Sequence, residues 1–214
     1  MVKTIDADAG DISERKKEIR MAILRQRAQL APVEIRQAAS AITLPMTDLL
    51  RSCFACKEGE LLMSAAYAAI RSELSLAETW PLLLGHPGRL YFPAVVDDHL
   101  ELGAVPEGRK PQDWLQPGCM GIPEPPQESR RTRPPPLDLI LVPGLAFDRK
   151  GNRIGWGKAY YDGLLARLPA STLRVGIAYD FQIMEELPAD EHDQPLDALM
   201  TPSDWFYCSN RSRP

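Results

Sequence analysis

Residues 137–179 read LDLILVPGLAFDRKGNRIGWGKAYYDGLLARLPASTLRVGIAY, and the changes of texture along them decide the fold class. Leu137–Val142 (LDLILV) is a short, nearly unbroken apolar run, and Leu173–Tyr179 (LRVGIAY) is another. Runs of this length suit strands covered on both faces. Between them Tyr161, Leu164, Leu165 and Leu168 fall at i, i+3, i+4 and i+7, which predicts a helix over 158–168. A glycine-punctuated loop separates the first strand from that helix.

Outward from this segment the pattern repeats. Leu61–Tyr67 (LLMSAAY) reads as a buried strand, and Arg89–Pro93 as a second one, stopped by its proline. Ser75–Leu84 reads as helical, with Pro81 disturbing its end. Upstream, residues 1–10 read as a disordered lead, and Asp11-Ile12-Ser13-Glu14 offers a capping-box spacing. Ile19, Ile23 and Leu30 then form a narrow apolar stripe on a surface helix. Helical texture resumes over 33–44 and over 46–54, after Pro45. The chain carries 20 prolines, many of them in 117–136, which predicts an extended excursion of one domain because a strong strand follows at once. Buried strands alternating with helices predict an α/β protein: three layers, a mostly parallel sheet flanked by helices. One domain over 11–207 and a tail over 208–214 complete the expected organisation.

Composition removes several classes of function. Lys and Arg total 25 against 29 Asp and Glu, a net charge of −4, whereas a protein that neutralises phosphate backbones is normally basic. No apolar run approaches the roughly 20 residues needed to span a bilayer. The polar, acidic stretch Met1–Asp11 lacks the apolar core of an export signal. Nucleic acid and membrane are therefore not expected partners, and the cytoplasm is the expected compartment. Cys53-Phe-Ala-Cys56 is a lone C-x-x-C without a second close pair, and Lys57-Glu58-Gly59 after it reads as a turn. The four cysteines read as reduced thiols.

The loop between strand and helix is the candidate for chemistry. It runs Pro143-Gly144-Leu145-Ala146-Phe147-Asp148-Arg149-Lys150-Gly151-Asn152-Arg153-Ile154-Gly155-Trp156-Gly157-Lys158-Ala159-Tyr160-Tyr161-Asp162. In open α/β sheets ligands sit beyond the carboxyl ends of strands. Free N–H groups at a helix start favour anions, glycines permit close backbone approach, and Arg153 and Lys158 add charge. Asn152 and Ala159 stand where a Walker A loop requires glycine and Ser or Thr, and the glycine spacing does not fit a dinucleotide fingerprint. On spacing alone, a phosphate site and an ordinary loop stay equally open.

This loop closely resembles the signature of the 5-formyltetrahydrofolate cyclo-ligases, or 5,10-methenyltetrahydrofolate synthetases. That pattern runs roughly P-G-x-x-F-D-x-x-G-x-R-[LI]-G-x-G-[GK]-G-[YF]-Y-D. The chain matches it at Pro143, Gly144, Phe147, Asp148, Gly151, Arg153, Ile154, Gly155, Gly157, Lys158, Tyr160, Tyr161 and Asp162, and departs at Ala159, where the family has glycine. Weaker resemblances cover nearly the whole chain: Lys16, Arg20 and Arg27 on the first helix, Ser72-Glu73-Leu74, Phe92-Pro93, Ile122-Pro123-Glu124-Pro125, and His192-Asp193 with Asp197 and Thr201-Pro202. The resemblance implies a fold like that of ribose-phosphate isomerases and CoA transferases. It also implies ATP- and Mg²⁺-dependent closure of 5-formyltetrahydrofolate to 5,10-methenyltetrahydrofolate, through phosphorylation of the formyl oxygen.

Carried over residue by residue, the resemblance implies Lys158, Arg153 and Tyr160 as catalytic. ATP contacts are implied at Lys16, Lys17, Arg20, Arg153, Gly155, Trp156, Gly157, Lys158, Ala159, Tyr160 and Tyr161. Folate contacts are implied at Arg20, Glu73, Trp156 and Tyr160, and Mg²⁺ ligands at Asp162 and Asp193. The expected assembly is a monomer or weak homodimer. Blander readings stand beside these. Lys16 and Arg20 also fit a solvated helix face, and Tyr161 fits the apolar stripe and hence the core. Glu73 alone is unreadable, His192 fits a general base or, more blandly, a structural role beside Asp193, and Arg130-Arg131-Thr132-Arg133 reads as a solvated loop. A non-catalytic folate or nucleotide binder remains the alternative function, and a sugar-phosphate isomerase or CoA transferase shares the implied fold.

Overall fold

The computed structural model describes residues 7–54, 61–86, 88–190 and 192–209. Its chain opens with three helices, α1 (Ala7–Ala28), α2 (Pro32–Ala41) and α3 (Thr43–Cys53), followed by β1 (Leu62–Ala65) and the short α4 (Trp80–Leu84). A hairpin of β2 (Gly88–Val96) and β3 (His99–Ala104) comes next. The proline-rich stretch is built from α5 (Pro111–Trp114), β4 (Gln116–Pro117), β5 (Pro123–Glu124) and β6 (Arg130–Arg131). Then come β7 (Leu139–Pro143), β8 (Ala146–Asp148), β9 (Arg153–Ile154), α6 (Tyr160–Leu165), β10 (Leu173–Ile177), β11 (Ile183–Met184), β12 (Ala198–Met200) and β13 (Trp205–Tyr207). Pro32, Pro45, Pro81 and Pro111 all fall in the first turn of a helix, where backbone N–H groups have no intrahelical acceptor to lose.

Eight strands form one sheet in the order β13-β12-β10-β7-β1-β2-β3-β6. The five central strands, β12 to β2, are parallel, with Ala65 paired to Ile140 and Val175 to Leu141. The outer strands β13, β3 and β6 add antiparallel edges. Alternation along β7 shows why the sheet is covered twice. Leu139 and Leu141, with Val175 and Ile177, pack against Ile42, Met46 and Leu49 of the α2–α3 pair and Trp80 and Leu83 of α4. Ile140 and Val142 face the other way, onto Leu164 and Leu165 of α6. Each such side chain contributes about 1.5–3 kcal/mol on leaving water. The result is the expected mixed α/β arrangement, a large and mostly parallel sheet between helical layers. A second sheet, β11-β8-β9, packs on α1 through Ile23, Ala146, Ile154 and Leu187.

Several local expectations are corrected. Helix α1 begins at Ala7, ahead of the capping-box spacing at Asp11, so the lead expected over 1–10 already turns helical inside that span. Strand β2 continues through Pro93 to Val96. Its pairing with β1 ends at Tyr91, so at position 93 no ladder on that side requires an N–H. The helix expected over 75–84 is limited to Trp80–Leu84, and the one expected over 158–168 to Tyr160–Leu165, since Ala159 adopts φ +53°. Arg130 and Arg131 are not a solvated loop. They form an edge strand on β3, with Arg130 held by Glu124 at 3.3 Å and by the Pro125 carbonyl at 2.9 Å. Of the C-x-x-C pair, Cys53 lies 3.2 Å from the Tyr207 hydroxyl, and Cys56 lies outside the described residues.

Candidate active site

The loop that joins β7 to α6 is a folded hairpin, not a loose excursion. Asp148 is fully buried and organises it. Its Oδ1 accepts the backbone N–H groups of Lys150 (2.9 Å) and Asn152 (3.0 Å), and its Oδ2 accepts the Asn152 amide (2.8 Å) and the Leu187 N–H (3.0 Å). Four such partners satisfy the hydrogen-bonding capacity of this buried carboxylate. The hairpin delivers Arg153, whose guanidinium donates to Asp162 Oδ1 at 3.0 Å and whose side chain is 5% exposed. Gly155 lies against that guanidinium: a Cβ there would come within 2.6 Å of Arg153 Nη1. Gly157, at φ +90°, then turns the chain into the left-handed region that a glycine occupies without strain.

Helix α1 supplies the opposite side. Its apolar stripe, Ile19 and Ile23, sits on the small sheet, which directs Lys16 and Arg20 toward the loop. Arg20 Nε donates to the Gly155 carbonyl at 2.9 Å, and Lys16 Nζ to Asp193 Oδ2 at 2.6 Å. Between helix and loop, at the carboxyl ends of β1, β2 and β7, lies a cavity of about 300 Å³. Its lining divides by chemistry. Lys16, Arg20, Arg153 and Lys158 are cationic, Asp162 and Asp193 stand among them, and Pro93, Val95, Leu100, Ile122 and Pro123 are apolar. Tyr67, Trp156, Tyr160 and Tyr161 add aromatic surface.

Glu73 and Glu124 also reach this cavity, and both are buried. Glu73 accepts the Trp156 indole N–H and the Ile70 N–H, each at 3.1 Å. Burial raises its pKa above the usual carboxylate value, and those two hydrogen bonds with the charges of Arg27 and Arg71 oppose the rise. Glu124 accepts the Val95 N–H at 3.2 Å and Arg130 at 3.3 Å. Burial pushes the Tyr67 and Tyr161 phenols well above their ordinary range, so both hydroxyls stay neutral donors.

Every candidate residue except Lys17 lines this one cavity. Lys17 points away on α1 and pairs with Glu14 at 3.2 Å, both side chains largely exposed. The apolar stripe that assigned Tyr161 to the core is also satisfied, since it packs with the α6-side cluster while lining the cavity. Arg27 and Glu124 match family positions in the sequence, but nothing in the sequence gives either a role. A charged residue that is buried because it is paired carries no mark in hydrophobic periodicity, and the partners of Arg27 are backbone carbonyls.

For Mg²⁺ the donor set is a modest fit. Asp162 Oδ1 and Asp193 Oδ2 are engaged as described, and among the described residues Asp162 Oδ2 and Asp193 Oδ1 have no hydrogen-bond partner. No group of three metal-ligating side chains occurs among the described residues. Two single carboxylate oxygens suit an ion that keeps waters and takes its remaining ligands from phosphates.

With this geometry in view, comparison with known proteins identifies the family. The profile of the 5-formyltetrahydrofolate cyclo-ligase family matches residues 12–202. The chain belongs to that family. The 5-formyltetrahydrofolate cyclo-ligase of Haemophilus influenzae is 28% identical over 190 residues, 86% of this chain and 96% of that protein. The cyclo-ligase of Escherichia coli K12 is 40% identical over 95 residues, 44% of this chain and 52% of the relative. The alignment with that relative thus spans about half its length, as does the one with the probable cyclo-ligase of Schizosaccharomyces pombe, at 47%. Among solved structures, the 5,10-methenyltetrahydrofolate synthetase of Aquifex aeolicus superposes with a TM-score of 0.73 at 33% identity, covering 93% of this chain and 95% of that one. The synthetase of Mycoplasma pneumoniae shares the fold at a TM-score of 0.65 and 24% identity, covering 87% of this chain and 98% of that one. No helix among the described residues is long and apolar enough to cross a membrane.

Proposed function

We propose that this chain closes 5-formyltetrahydrofolate to 5,10-methenyltetrahydrofolate at the expense of ATP, releasing ADP and phosphate. The observation that carries this reading is the meeting, in one cavity, of four cationic side chains around a glycine loop with an apolar and aromatic lining. The first set suits a polyphosphate, and the second suits the flat pterin and aminobenzoyl rings of a folate. The chemistry requires both. N10 must attack the formyl carbon, but the formyl oxygen is a poor leaving group. Transfer of the γ-phosphoryl group to that oxygen gives an iminium phosphate. N10 then adds to the carbon and loses its proton, and the C–O bond breaks to release inorganic phosphate.

Such a reaction needs positioning and charge stabilisation more than a protein nucleophile. In this reading Lys158 and Arg153 face the transferring phosphoryl group, and Lys16 and Arg20 hold phosphates from α1. Gly155, Trp156, Gly157 and Ala159 bring loop backbone to the nucleotide, with Tyr161 beside them. Glu73, Trp156, Tyr160 and Arg20 orient the folate. Asp162 and Asp193 would hold Mg²⁺, which supplies charge neutralisation on the phosphates. The same proposal takes in a cytoplasmic monomer or weak homodimer, and kinship of the fold with ribose-phosphate isomerases and CoA transferases.

The test is formation of the methenyl product, followed by its near-ultraviolet absorbance. Turnover that requires both ATP and Mg²⁺ supports the reading. Tight binding of both ligands without turnover would favour a non-catalytic binder instead. That second reading draws on Ala159, which adopts φ +53° where the family signature has glycine.

A further inference from the structure

Arg27 is 1% exposed, yet it lines no part of the cavity. Two nitrogens of its guanidinium are spent on backbone, while the buried Nη1 has no hydrogen-bond partner: Nε donates to the Ser72 carbonyl at 3.0 Å, and Nη2 to the carbonyls of Ile70 (3.2 Å) and Arg71 (2.5 Å). Three successive carbonyls converge on one cation because the turn beneath them is unusual. Arg71 has φ +46° and Ser72 φ +59°, two non-glycine residues in a row in the left-handed region. The residue this turn delivers is Glu73, whose N–H bonds back to the Ile70 carbonyl at 2.8 Å. Its Oε1 takes the Trp156 indole N–H at 3.1 Å. The indole ring in turn lies 5.8 Å from the Arg27 guanidinium and 5.2 Å from that of Arg71.

We propose that Arg27 is a positioning residue, which holds the 70–72 turn in its left-handed shape so that Glu73 faces the cavity and clamps the Trp156 indole of the glycine loop. The Nε–H and the two Nη2 hydrogens meet the three carbonyls in one fixed plane, a geometry that a lysine ammonium, with its three donors on a flexible stem, does not hold. The strain of the turn persists because the cation over-determines it. The consequence is that one buried side chain at the end of α1 sets the relative placement of the carboxylate and of the Trp156 indole. The inference rests on the proposed folate role of Glu73 and extends it to a residue that never meets the ligand.

The test uses the full chain with Arg27→Lys and, separately, Ser72→Val, which keeps Arg27 but places a β-branched residue at φ +59°. Two readouts are taken below the melting temperature of each variant. One is steady-state kinetics for both substrates. The other is Trp156 emission, isolated by subtracting the same variant carrying Trp156→Phe. Both variants should raise KM for the folate roughly ten-fold, the size of one hydrogen bond to a charged group, with KM for ATP within about two-fold. Both should shift Trp156 emission to the red as the indole loses Glu73. Adding Ser72→Gly, which suits the left-handed turn, should recover part of the loss in Arg27→Lys. If Arg27→Lys does not fold, Ser72→Val carries the test alone. Unchanged emission and folate KM in a folded variant would overturn the proposal, and so would equal losses for both substrates with unchanged emission. If the parent protein shows no turnover, the proposed function fails, and the emission shift still decides whether Arg27 positions Trp156.

Discussion

At the scale of single residues, the charged side chains of the cavity differ in what else they do, and that difference predicts which will answer to mutation. Arg153 is tied to Asp162, Arg20 to the Gly155 carbonyl and Lys16 to Asp193. Lys158 is exposed at the cavity and has no hydrogen bond or ion pair among the described residues. An i, i+4 pair between Lys158 and Asp162 would have been its structural employment, but α6 begins only at Tyr160, after the left-handed Ala159, and Asp162 Oδ1 meets Arg153 and the Gln194 N–H instead. A cation with no structural partner contributes little to folding. Lys158→Met should therefore leave the melting temperature nearly unchanged. If its charge meets the transferring phosphoryl group, kcat should fall about a hundred-fold. Normal kcat in a folded variant would remove Lys158 from the catalytic set. Legibility at this scale was uneven for a physical reason. Lys158 and Arg153 stand in a glycine-rich string that announces itself, whereas Glu73 reads as a commonplace exposed carboxylate until Trp156, 83 residues away, is seen to donate to it.

At the scale of elements, continuous apolar runs were readable because burial on both faces of a parallel sheet leaves one composition only, as in β7 and β10. Boundaries were less so. Pro93 looks like a strand terminator, but a missing N–H matters only where a neighbouring ladder needs it. The helix after the glycine loop starts late because Ala159 leaves the right-handed region just before Tyr160. That residue makes a prediction of its own. An L-residue in the left-handed region costs about 1–2 kcal/mol, and glycine loses about 0.5–1 kcal/mol to its own flexibility. Ala159→Gly should thus be neutral to mildly stabilising by urea unfolding. It should also lower KM for ATP, because removing an exposed methyl beside Lys158 lets the backbone approach phosphate more closely. A clear loss of stability would mean that Ala159 is already relaxed where it stands.

At the scale of the whole molecule, the cavity exists because topology brings distant segments to one sheet edge. Parallel strands β1, β2 and β7 end side by side, so the 66–73 turn, the β2–β3 hairpin and the glycine loop converge there, and α1 closes the gap from the first residues described. Among the contacts that span that closure are Arg20 to Gly155 and Lys16 to Asp193, the latter joining residues 177 positions apart, besides those of Arg27 to the turn. The two aspartates proposed for Mg²⁺ are consequently not equivalent. Asp162 holds Arg153, whose side chain is 5% exposed, so its loss strands a buried charge; Asp193 holds Lys16, at 13% exposure and with a cavity beside it. Asp162→Asn should cost about 1.5–3 kcal/mol of stability, the range for a hydrogen bond between charged groups, in addition to any effect on metal. Asp193→Asn should raise the Mg²⁺ concentration needed for half-maximal turnover while shifting the melting temperature much less, because a freed Lys16 can turn to water or to phosphate. Titration of Mn²⁺ binding by electron paramagnetic resonance, in the presence of ATP, reads the metal directly in both variants. Weakened Mn²⁺ binding in both, with a stability loss in Asp162→Asn alone, is the expected pattern; unaltered binding in both would assign the two carboxylates to holding Arg153 and Lys16 and nothing more.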